Sequence, residues 1–62
     1  IMYYVIKITI HGEDKYVFND KLFVANMGFA RKFYSLAYAR RYIKTHPVCT
    51  DYGCEIVEGL TA

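Results

Sequence analysis

Acidic residues are missing from the middle of this chain, and the groupings that carry catalysis are missing throughout. The six Asp and Glu of the 62-residue sequence stand in turns and near the C-terminal end, and none form the spaced pair that acid–base work requires. Neither a glycine-rich phosphate loop nor a dinucleotide fingerprint is present. No apolar run approaches the ~18 residues of a membrane-spanning helix. The pattern of a secretory signal is missing too, and so are repeats, low-complexity tracts and linkers. These absences predict a non-enzyme with no cofactor, acting in the cytoplasm and away from membranes.

What remains is a single small domain spanning 1–62, rich in aromatics, with seven Tyr and four Phe. A chain this short buries a small share of its surface and needs dense packing, a staple or a partner. Large rings supply buried area, and Tyr is also enriched at interfaces. The one strongly helical segment lies within 33–47. Ser35 is the expected N-cap, and Pro47 ends the helix because the residue before a proline avoids the α region. At about 100° per residue, Leu36, Ala39 and Ile43 share a narrow apolar face. Tyr38, Tyr42 and His46 widen that face, and Arg40, Arg41, Lys44 and Thr45 take the opposite half.

Residues 3–10 alternate as a strand, with Tyr4, Ile6, Ile8 and Ile10 on one side and Tyr3, Val5, Lys7 and Thr9 on the other. A turn at 11–14, with Gly12 free to take positive φ, leads to a return strand at 15–19. There Tyr16 and Phe18 are expected on one face and Val17 on the other. A second turn at 19–21 precedes a short candidate strand at 22–25. Residues 26–28 break the chain, and 29–34 reads either as an irregular lead-in or as an extra helical turn. After a loop at 48–53, residues 54–57 form a last strand and 59–62 a frayed end. The fold class is α+β: a three- or four-stranded, mostly antiparallel sheet with one helix on one face, in the order β-β-(β)-α-β. Leu36, Ala39 and Ile43 are expected to face Ile6, Ile8 and Phe18.

A single helix covers a single sheet face. Tyr3, Val5, Lys7 and Val17 are therefore the expected protein-binding surface, for another protein or for a second copy in a homo-oligomer, since large apolar patches usually mark interfaces. The alternative surface follows the charge. Residues 1–28 are balanced, 29–46 carry Arg31, Lys32, Arg40, Arg41 and Lys44 with no acid, and 47–62 carry only Asp51, Glu55 and Glu58. Those five cations beside tyrosines make a candidate nucleic-acid-binding surface, with phosphates on the cations and bases on the rings. The acidic last strand is expected to offset part of it.

Cys49 and Cys54 are open to three states: reduced thiols, a small-loop disulfide, or a zinc site with His46 and His11. The spacing fits no standard zinc pattern, so reduced thiols are the default and no metal is expected. His46 reads as a helix-end residue rather than as a catalytic base.

Ala30, Phe33, Ser35 and Ala39, following a YYVIKI strand and a KYVF return strand, resemble small proteins encoded by phages and prophages of Gram-positive bacteria. In those proteins a β-hairpin precedes an A-x-x-F-x-S lead into a short helix, and a final strand closes the sheet. The resemblance covers residues 3–58 and rests on packing and capping positions, so it transfers no functional residue. Where such proteins carry acids in the first helical turn, this chain has Leu36, Ala37 and Tyr38. The resemblance implies an accessory protein in a bacterial host cell that binds a host or phage macromolecule, such as a defence nuclease, and alters its activity.

Overall fold

The computed structural model describes residues 1–19, 21–46 and 51–60. Strand β1 (Met2–Ile10) turns into β2 (Glu13–Val17) and then into the two-residue β3 (Phe23–Val24). A 3-10 turn (Met27–Phe29) leads to helix α1 (Leu36–Thr45), and β4 (Cys54–Leu60) completes the sheet. The strand order is β3-β2-β1-β4, and every neighbouring pair is antiparallel. The expected α+β architecture and element order are therefore observed.

The β1–β2 connection is tighter than the four-residue turn expected. His11 (φ 52°) and Gly12 (φ 81°) alone make it, both in the left-handed region. That is the two-residue hairpin geometry whose twist matches the strands it joins. It pins Ile10 opposite Glu13 and Lys7 opposite Tyr16. Directly opposed residues share a face, so Tyr16 lies on the side of Lys7, and Val17 lies on the side of Ile6. This corrects the expected faces of β2. Val17 packs with Ile6 and Ile8 under the helix, while Phe18 is exposed.

On the helix side, Ile6, Ile8, Val17, Phe33, Ala39 and Tyr42 form the main core, with Ile43 packed against it. The helix is rolled toward Tyr42, which is buried, whereas Leu36 is exposed. Ser35 does stand at the N-cap with extended backbone, but its hydroxyl makes no capping bond. At the other end His46 is extended (φ −115°, ψ 117°), as a residue preceding a proline must be.

The second sheet face is also covered, which overturns the expectation of an open one. Tyr3, Val5 and Ala30 are buried together there, with Met27, Tyr16, Val24 and Val57 packed around them. The cover is the stretch read from sequence as a chain break. Asn26 accepts a hydrogen bond from Gly28 N at 2.7 Å and shapes the 3-10 turn, which brings Met27 and Ala30 down onto the sheet. The chain then returns to the helix side in the plane of the sheet. Phe33 exchanges two backbone bonds with Tyr4, 2.7 and 2.8 Å long, and Arg31 N donates to Val17 O. Residues 31–33 thus occupy the slot on β1 that β2 leaves empty. The lead-in is irregular, not helical. Val5, Ile6 and Ile8 end with no exposed surface, as expected of a central strand covered on both sides.

Candidate functional site

Three of the four residues expected to bind a protein are buried within the chain. Tyr3 is 7% exposed, Val5 0% and Val17 1%, and Val17 belongs to the opposite face. Lys7 is half-buried and its Nζ sits 3.2 Å from Glu55 Oε1. Hydrogen bonding to Glu55, then the charges of Glu55 and Asp14, hold the Lys7 pKa above its ordinary value. The same pair answers how the acidic strand disposes its charge. Glu55 is turned to Lys7 on the second face, and Glu58 is the register partner of Tyr4. Among the described residues no ion pair reaches Arg31, Lys32, Arg40, Arg41 or Lys44. The acidic strand therefore makes no contact ion pair with the basic surface among the described residues.

The structure divides those five cations. Tyr38, Arg41, Tyr42 and Thr45 follow the i, i+3, i+4, i+7 ridge of α1. Together with Arg31, Lys32, Phe33, Tyr34 and His46 they line an open groove of about 420 Å³ between the helix and the lead-in. Arg40 and Lys44 point elsewhere. The floor of the groove is an aromatic ladder. Phe33 meets Tyr42 edge-on, centroids 5.2 Å apart, and Tyr42 stacks on His46 at 3.7 Å and 10°. His46 Nδ1 is 2.9 Å from Tyr42 O. A carbonyl only accepts, so Nδ1 carries the hydrogen in that contact.

The Arg31 guanidinium lies 5.4 Å from the centroids of both Phe33 and Tyr42, within cation–π range of each. The backbone bond from Arg31 N to Val17 O fixes its base, and the two ring contacts draw its exposed side chain to the groove. Lys32 reaches the groove wall, but its ammonium is committed to Gly28 O at 2.7 Å and to the Tyr3 ring at 5.4 Å. Arg31 and Arg41 are therefore the working charges. Tyr34 and Tyr38 stand at the rim with 64% of each exposed. No carboxylate lines the groove among the described residues.

Sequence reasoning named the cations but missed the floor. Phe33 does lie in the lead-in, His46 does cap the helix end and Tyr42 does belong to the core, but the sequence does not show that their rings meet along one groove. The legible signal was the spacing of Tyr38, Arg41 and Thr45 along one ridge. Cys49 lies outside the described residues, so its relation to Cys54 does too. Among the described residues no group of three or more His, Cys, Asp or Glu is placed to hold a metal. No helix among them is long and apolar enough to cross a membrane.

Comparison of the chain with protein-family models, with curated proteins and with solved structures found no match.

Proposed function

We propose that the protein is a non-catalytic interaction module that binds an anionic macromolecule through the groove between the lead-in and α1, in the cytoplasm of a bacterial host cell. The observation that carries this reading is the groove's charge. Arg31 and Arg41 line it, no carboxylate does among the described residues, and Glu55 is engaged by Lys7. Arg31, set over the Phe33 and Tyr42 rings, loses less side-chain freedom on binding an anion than a mobile surface charge does. The resemblance to phage and prophage accessory proteins supports a role of the same kind, in which a small domain engages a larger macromolecule. Filling of the second sheet face removes the surface on which self-association was expected.

The test is retention on immobilised heparin. The protein is retained at low salt and elutes as salt rises, because released counterions drive the binding. Passage through the column at low salt contradicts the reading.

A further inference from the structure

From the groove's composition we infer that its occupant is single-stranded nucleic acid, bound without sequence preference. This rests on the groove being the anion-binding surface and names what the surface takes. Three observations argue for it. First, the groove pairs its charges with rings: Arg31 and Arg41 are accompanied by Tyr34 and Tyr38, each mostly exposed, at its rim. An acidic peptide would use the cations and leave the rings idle. A nucleic-acid strand uses both, its phosphates meeting guanidinium groups and its unpaired bases lying on aromatic faces. Second, the groove is open and about 420 Å³ in volume, near the low end of the roughly 300–1,000 Å³ of ligand sites. That suits a short run of strand crossing the surface rather than an enclosed small molecule. Third, no Asn, Gln, Asp or Glu, the side chains that pair with adenine and cytosine edges, is among the described lining residues. Arg31 and Arg41 are assigned to phosphates, and the ridge that would enter a duplex groove carries tyrosine rings. Such a surface tolerates any base but requires it unpaired.

The experiment is fluorescence anisotropy at low salt with four labelled probes: a 12-mer of dT, an abasic 12-mer with the same phosphates, a 12-bp duplex, and polyglutamate of similar charge. The dT strand binds roughly tenfold or more tighter than the other three. Tyr34→Ala with Tyr38→Ala lowers dT affinity to about the abasic level, whereas Tyr34→Phe with Tyr38→Phe keeps wild-type binding. Both tyrosines are exposed, so a thermal melt of each variant should match the wild type. Equal affinity for dT and abasic strands, or tighter binding of duplex or polyglutamate, overturns the inference and leaves the anion-binding reading standing. No binding of any probe overturns both. The comparison of probes on the wild-type protein decides the matter even if a variant misfolds.

Discussion

Gly59 shows how closely a single position can be constrained. It is the register partner of Tyr3, and a Cβ built on it would lie 2.5 Å from Tyr3 Cζ and 2.7 Å from Met27 Cε. The ring edge fills the space that a side chain would take. Gly59→Ala must push Tyr3 out of the second-face cluster, an overpacking that costs about 1–3 kcal/mol. Gly53 has nothing within 4 Å of its Cβ position and no positive φ, so Gly53→Ala is expected to be neutral or stabilising by about 0.4–1 kcal/mol. Urea denaturation of the two variants side by side checks the contrast. Lys7 gives a second prediction. Its pKa is raised in the folded protein, mainly by the hydrogen bond to Glu55. The unfolded chain therefore releases this proton first as pH rises. The stabilisation is fully present below the ordinary lysine value of 10.5 and is lost as pH climbs through the folded value. Glu55→Gln removes the main cause of that raised pKa, so its urea midpoint should fall less than that of wild type as pH rises above 10.5. An identical fall in both proteins would argue against the Lys7–Glu55 contact.

Helix α1 begins weakly for a structural helix. Its first turn holds no acid, and the Ser35 hydroxyl makes no capping bond. The exposed Ala37 can be exchanged for an acid without touching the core. Ala37→Glu is expected to stabilise the fold by about 0.3–1 kcal/mol through the helix dipole, and to weaken binding of polyanions by adding a negative charge beside Tyr34 and Tyr38. Thermal melts and heparin elution measure the two effects, and unchanged elution would separate the helix start from the binding surface. The same element shows what the sequence could disclose. Period and capping placed α1 because Leu36, Ala39 and Ile43 recur at helical spacing. They did not show that the helix rolls toward Tyr42, because that depends on Phe33 arriving through the β1 slot. The strand β1 was legible from its alternation. The face of Val17 was legible as well: a hairpin loop with an even number of residues opposes even positions to odd ones, and so sets Val17 among the even-numbered isoleucines. The weight of the flanking aromatics, Tyr16 and Phe18, obscured that parity. The cover over the second face was not legible. Met27 and Ala30 look like a turn until the Asn26 side chain folds that turn onto the sheet.

For a molecule of 62 residues, the consequence is that one connection serves both faces. Residues 26–33 close the second face with Met27 and Ala30, fill the β1 slot, and bring Phe33 and Arg31 to the helix side. The sheet face first expected to bind is spent on folding, and the groove beside α1 is a surface where cations without an ion pair among the described residues meet aromatic rings. This placement makes the charges unequal in effect, although the sequence presents them alike. Arg40 and Arg41 are neighbours on one helix, both exposed, and only Arg41 lines the groove. Arg40→Glu and Arg41→Glu change the net charge identically. The most direct measurement is therefore the salt concentration at which each variant leaves immobilised heparin, compared with wild type. If the groove binds, Arg41→Glu elutes at clearly lower salt and Arg40→Glu stays close to wild type; equal shifts in the two variants would mean that the protein binds by diffuse charge and that the groove is not the site.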